Sequence, residues 1–135
     1  MVKPKLIVVD DDPGIANLVS NVGEISGFDV YLTTSANEFQ EVWADCEPAV
    51  IVMDLIMPEI DGIELLTWLV EQNCSAPIIL MSGFDGKYLE LAAELGTVKG
   101  GNVVGVLTKP FEISELEEML KAALTEPDAM GDPVD

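Results

Sequence analysis

Short apolar runs alternate with amphipathic segments along the 135 residues of this chain. Five of the runs are rich in Val, Ile and Leu and have the length of strands. In the segments between them, apolar residues return every three or four positions, which is typical of helices that bury one face. The predicted strands lie at 5–9, 28–32, 51–54, 77–81 and 103–107.

Polar residues mark where several of the predicted helices begin. A Ser or Asp before an apolar face can accept hydrogen bonds from the first turn, and a Glu three residues later completes a capping box. We expect such starts at Asp12 with Pro13, at Ser35 with Glu38, at Asp61 with Glu64 and at Ser114 with Glu117.

The alternation of strands and helices predicts an α/β fold, a (βα)5 doubly wound five-stranded parallel sheet with helices on both faces. The length fits one domain, which we expect at residues 1–124. Residues 125–135 contain two prolines and four acidic side chains, and we expect them to form a disordered acidic tail or the start of a linker.

Polar side chains follow four of the predicted strands. Asp10 and Asp11 come after the first strand, Asp54 ends the third, Ser82 follows the fourth and Lys109 the fifth. Because parallel strands end at one edge of a sheet, we expect these groups to converge. Three carboxylates held together repel one another, and Mg²⁺ relieves that repulsion. A carboxylate beside Mg²⁺ and an ammonium group is suited to accept a phosphoryl group.

Composition excludes several other kinds of function. Six lysines and no arginine face 25 acidic residues, so the net charge of −19 predicts no direct binding of nucleic acid or of an anionic membrane. No apolar run is long enough to span a bilayer. The absence of histidine excludes Ser-His-Asp and Cys-His catalysis. Cys46 and Cys74 lack zinc-site spacing and are expected to be core thiols.

Four motifs together resemble those of the receiver domains of two-component response regulators, over about residues 5–124. They are Val8-Val9-Asp10-Asp11, Asp54-Leu-Ile-Met-Pro58 with Asp61-Gly62, Met81-Ser82-Gly83 and Lys109-Pro110-Phe111. The resemblance implies a flavodoxin-like sheet, a cytoplasmic location and a cis bond before Pro110. It also implies two partners: a sensor histidine kinase or phosphotransfer protein as the phosphoryl donor, and a downstream protein or output domain.

The resemblance also implies a role for each residue at the strand ends. Asp54 corresponds to the phosphoacceptor, and Asp10 and Asp11 to the acidic pair that holds Mg²⁺ together with Asp54 and the backbone carbonyl of Ile56. Ser82 corresponds to the switch hydroxyl, and Lys109 to the lysine that contacts the phosphoryl group.

The chain departs from the family pattern at several positions. Val106 stands where relatives often carry the aromatic ring that reports the switch. Ile56 and Phe84 are apolar where many relatives are polar, which predicts slow loss of the phosphoryl group. The predicted connection 96–102 is longer than the usual link into the last strand, with mobility or partner contact as one interpretation and a neutral insertion as the other. Without arginine, and with a glutamate-rich last helix, we expect no arginine-ladder dimer.

Two other protein classes share parts of this pattern. Haloacid-dehalogenase-like phosphohydrolases use a nucleophilic Asp after the first strand, which would be Asp10 here, but the Thr expected after it is Gly14. A flavodoxin-type FMN site disagrees with the carboxylates at 10–12, which would repel its phosphate. The residue that becomes phosphorylated, Asp54 or Asp10, separates the receiver from the hydrolase.

Overall fold

The computed structural model of the chain describes residues 3–57, 62–83 and 86–131, with the backbone alone for 86–89 and 125–131. Within these residues, five strands alternate with five helices, as the pattern of apolar runs predicts. The elements are β1 (Lys5–Val9), α1 (Pro13–Ile25), β2 (Asp29–Thr33), α2 (Ala36–Asp45), β3 (Val50–Asp54), α3 (Gly62–Glu71), β4 (Ile78–Ser82), α4 (Gly86–Val98), β5 (Val103–Thr108) and α5 (Ile113–Gly131).

All strand pairs of the sheet are parallel, in the order β2-β1-β3-β4-β5. The register aligns Val9 with Met53, Asp54 with Met81, and Ser82 with Thr108. The carboxyl ends of β1, β3, β4 and β5 therefore meet at one edge. This edge holds the polar groups singled out in the sequence.

Alternate residues of the central strands supply two separate cores. Ile7, Ile51 and Ile78 belong to a cluster that includes side chains of α2, α3 and α4. Leu6 and Val52 belong to a second cluster with side chains of α1 and α5. Every residue of β3 and β4 is buried, because both faces of a doubly wound sheet are covered by helices.

Two of the predicted helix caps are confirmed. The Asp12 carboxylate accepts hydrogen bonds from the N–H groups of Gly14, at 2.9 Å, and of Ile15, at 3.5 Å. The Ser35 hydroxyl accepts from the Glu38 N–H at 3.1 Å. The proposed cap at Asp61 lies outside the described residues.

Two expectations about helix ends are corrected. Helix α5 begins at Ile113, so Ser114 lies inside it, and the capping hydrogen bond instead joins the Glu112 N–H to the Glu115 carboxylate at 3.0 Å. Helix α4 extends to Val98, which leaves a connection of residues 99–102 rather than 96–102. Helix α5 also continues past Leu124 to Gly131, and the role of 125–135 as a tail or linker stays a prediction.

The remaining expectations concern the thiols and the membrane. Cys46 and Cys74 are free and buried, as predicted, and burial raises the pKa of each thiol. Among the described residues, no helix combines the length and the apolar composition that crossing a bilayer requires.

Candidate functional site

Two buried carboxylates and one lysine form the centre of the strand-end site. Asp10 follows β1 and is fully buried, and Asp54, the last residue of β3, is 3% exposed. The Lys109 Nζ lies 2.9 Å from Asp10 Oδ2 and 3.4 Å from Asp54 Oδ2. The chain brings these three groups together from 99 residues apart in sequence, because β1 and β3 are neighbours and β5 ends at the same edge.

The second oxygen of each buried carboxylate accepts a backbone hydrogen bond. Asp10 Oδ1 accepts from the Asp12 N–H at 2.9 Å, and Asp54 Oδ1 accepts from the Ile56 N–H at 3.2 Å. Each carboxylate is therefore oriented by a residue two positions later and presents its other oxygen to Lys109. Such paired contacts meet the requirement that buried charges be hydrogen-bonded or ion-paired.

The electrostatic balance of the site raises the pKa of Asp54 to about 6. Burial is the main cause, and the negative charge of Asp10 adds to it, whereas Lys109 and the Ile56 N–H act in the opposite direction. Burial by itself would lower the pKa of the Lys109 ammonium group, but its contacts with Asp10 and Asp54 outweigh that effect and raise it. The site thus holds more negative charge than its single described lysine compensates.

A third carboxylate gives the site the composition of a metal centre. Oxygens of Asp10, Asp11 and Asp54 all lie within 4.8 Å of one another, and Asp11 is exposed to solvent. Carboxylates open to water on one side suit Mg²⁺, which keeps several of its waters. The acidic cluster therefore fits a divalent metal. The metal-binding role of the Ile56 carbonyl stays a prediction.

Ser82 and the Lys109-Pro110 bond complete this edge of the sheet. Ser82 is fully buried at the end of β4, and its carbonyl accepts a hydrogen bond from the Lys109 N–H at 2.9 Å. The peptide bond between Lys109 and Pro110 is cis, as the resemblance implies. The Ile56 side chain is 46% exposed beside Asp54. Phe84 lies outside the described residues.

Sequence reasoning missed two supporting residues. The Thr33 carbonyl at the end of β2 accepts the Asp10 N–H at 3.2 Å, while its buried hydroxyl donates to the Val8 carbonyl at 2.7 Å. Gly62 approaches the backbone of Leu55 so closely that a Cβ atom at position 62 would clash with the Leu55 Cα and carbonyl. The available signals were a hydroxyl at a strand end and a Gly after the predicted cap at Asp61.

Comparison with known families gives one match that covers most of the chain. Residues 6–121 match the response regulator receiver domain family. The alkaline phosphatase synthesis transcriptional regulatory protein PhoP of Bacillus subtilis is 32% identical over 121 residues, and regulatory protein AtoC of Escherichia coli is 28% identical over 120. The alignments cover 89% of this chain in both cases but only 48% and 25% of those proteins. The chain therefore spans a quarter to a half of these curated relatives.

Solved structures agree with the family match. The receiver domain of Francisella response regulator 1452 is 32% identical, with a TM-score of 0.78 over 92% of this chain and 98% of that one. A CheY-like receiver domain from Methanospirillum hungatei, at 20% identity, has a TM-score of 0.84 over 95% of this chain and 98% of that one, and shows the shared fold. None of these findings supports the haloacid-dehalogenase alternative. This chain belongs to the receiver domains of two-component response regulators.

Proposed function

We propose that Asp54 accepts a phosphoryl group from a phosphohistidine of a sensor histidine kinase or phosphotransfer protein. One observation carries the proposal: the buried Asp54 carboxylate faces Lys109 at 3.4 Å in a cluster with the carboxylates of Asp10 and Asp11. In the transfer, an Asp54 oxygen bonds to phosphorus as the phosphorus–nitrogen bond of the donor breaks. The donor imidazole leaves with that bond's electron pair.

The residues around Asp54 have distinct parts in this transfer. The Lys109 ammonium group would contact the phosphoryl oxygens and offset the negative charge that develops on them. It is placed for this contact because it lies between Asp10 and Asp54. The Ser82 hydroxyl would donate a hydrogen bond to a phosphoryl oxygen. Asp10, Asp11, Asp54 and the Ile56 carbonyl would hold Mg²⁺, which offsets the negative charge of the phosphoryl group when bound.

The consequence of phosphorylation would be a change in a protein-binding surface, read by a downstream protein or output domain. Val106 is half-buried against the core beside α4 and cannot act as an aromatic reporter. The switch would therefore be transmitted by the loops that carry Ser82 and Lys109. We propose that the chain acts as a signalling domain whose only chemistry is self-phosphorylation and loss of the phosphoryl group, with residues 1–124 as the functional unit.

The test is to locate the phosphoryl group on the chain. The protein is incubated with Mg²⁺ and acetyl phosphate, and intact-mass analysis followed by peptide mapping identifies the modified residue. We expect one phosphoryl group, on Asp54, and no adduct when EDTA removes the metal. A group found on Asp10 would contradict the proposal and indicate hydrolase-type chemistry.

The exposed Ile56 side chain should prolong the lifetime of the phosphoryl group, because an apolar group beside Asp54 hinders the approach of water. Replacing Ile56 with Asn is expected to speed loss of the phosphoryl group about fivefold, equivalent to about 1 kcal/mol in the barrier. The decay of the adduct is followed by intact mass after the donor is removed. Ile25→Asn is the matched control, since Ile25 is 78% exposed at the end of α1. Equal lifetimes for Ile56→Asn and the unaltered chain would refute this role.

A further inference from the structure

Three consecutive acids follow β1, and the structure separates the third from the other two. The carboxylates of Asp10 and Asp11 belong to the metal-binding cluster with Asp54, whereas that of Asp12 does not. The Asp12 carboxylate instead accepts hydrogen bonds from the N–H groups of Gly14 and Ile15 in the first turn of α1. Asp12 therefore lies outside the acidic cluster and caps α1 instead.

The backbone of Asp12 contacts the site from the same position. Its N–H donates to Asp10 Oδ1 at 2.9 Å, and this contact leaves Asp10 Oδ2 directed at Lys109. Its carbonyl accepts the Ala16 N–H at 2.9 Å, inside the first turn of α1. Asp12 therefore links the orientation of the buried Asp10 carboxylate to the first turn of α1.

The position of Asp11 also depends on Asp12. Asp11 is exposed, and its carboxylate forms no hydrogen bond or ion pair with the described residues. Its position is therefore set by the backbone between Asp10, which the sheet holds, and Asp12, which the helix holds. If the cap of α1 is lost, the first turn frays, and both metal-binding carboxylates lose their orientation.

We infer that Asp12 is a positioning residue for the metal site, acting through its cap on α1 and its N–H bond to Asp10 rather than as a ligand. The inference rests on the proposed metal-binding role of Asp10 and Asp11. It predicts that metal affinity follows the capping ability of residue 12 and depends little on its charge, because Asp12 is exposed and water weakens its electrostatic interaction with the metal.

The test compares Mg²⁺ affinity among variants by isothermal titration with MgCl₂. Asp12→Ala, which cannot cap, is expected to weaken binding about tenfold, as is usual when a supporting residue of a metal ligand is lost. Asp12→Ser and Asp12→Asn both lack the charge but cap well. They are expected to remain within about threefold of the unaltered chain.

Ser35→Ala is the matched control, because it removes the cap of α2, away from the metal cluster. It should lower stability as Asp12→Ala does and leave the Mg²⁺ affinity unchanged. Equal weakening in Asp12→Ala, Asp12→Ser and Asp12→Asn would show a charge effect and overturn the inference, as would full affinity in Asp12→Ala. If the unaltered chain binds no Mg²⁺, the proposed metal role fails as well, whereas a failure confined to the variants overturns only the role of Asp12.

Discussion

In metal-free buffer at about pH 8, we expect the Asp54→Asn variant to be about 2–3 kcal/mol more stable than the unaltered chain and to accept no phosphoryl group. The folded state raises the pKa of this carboxyl from 3.8 to about 6, so folding favours its protonated form. A shift of this size corresponds to about 1.4 kcal/mol for each pKa unit. Asn keeps the shape of the side chain and removes the charge.

Because folding raises the pKa of Asp54, the difference in stability between the two chains depends on pH. Well below the ordinary pKa of 3.8, the Asp54 carboxyl is protonated in both the folded and the unfolded chain and costs no stability. As the pH rises through about 6, the folded chain must ionise a group that it holds as an acid, and stability is lost. The difference between the variant and the unaltered chain should therefore grow between about pH 4 and 7 and then level off.

Urea unfolding, followed by the fluorescence of Trp43 and Trp68, measures this difference. Glu94→Gln is the control, because it removes one charge from an exposed position of α4 and should change stability by less than about 0.5 kcal/mol. Mg²⁺ should narrow the gap by stabilising the unaltered chain. A variant that is less stable than the unaltered chain, or a difference independent of pH, would contradict the electrostatic account.

Replacing Lys109 with Met is expected to cost about 3 kcal/mol of stability in the absence of metal. The Lys109 side chain is 17% exposed and pairs with two carboxylates that are nearly inaccessible to water. Removal of one partner leaves buried charge uncompensated, which usually costs about 3–5 kcal/mol. We expect the lower end of that range because Asp54, with its pKa raised to about 6, can take up a proton.

The pKa of Lys109 is raised above 10.5 in the folded chain, so its contribution is complete at neutral pH and is lost only as the pH rises through that raised value. The loss of stability caused by Lys109→Met should be smaller when Asp54→Asn is also present, because one of the uncompensated charges is then absent. Mg²⁺ should restore part of the lost stability by supplying positive charge. Urea unfolding of the two single variants and the double variant measures this coupling. Lys99→Met, at an exposed position, is the control. No destabilisation in Lys109→Met would rule out Lys109 as the counter-ion of the site.

Much of the fold and of the site follows from local patterns. The strands are found because apolar runs of strand length are separated by amphipathic segments, and the caps at Asp12 and Ser35 because few residue types satisfy a helix start. The errors lie at helix ends. The predicted cap Ser114 lies inside α5, and the Glu112 N–H instead bonds to the Glu115 carboxylate. The glycine at 96 lies inside α4, where it packs close to Leu66 and Val103.

The sequence by itself determined which groups meet at the site. Asp10, Asp54, Ser82 and Lys109 follow or end strands, and parallel strands deliver their carboxyl ends to one edge. This placement depends only on the order of elements along the chain. It therefore survives small errors in the boundaries of those elements.

Only the tertiary structure decided how these groups pair. Lys109 lies closer to Asp10 than to Asp54, and each buried carboxylate accepts a hydrogen bond from the backbone N–H two residues later. These features depend on strand order, register and side-chain rotamers, which differ between folds with the same alternation of apolar and polar residues. A one-dimensional pattern specifies the edge of the sheet, whereas distances of about 3 Å are set by packing in three dimensions.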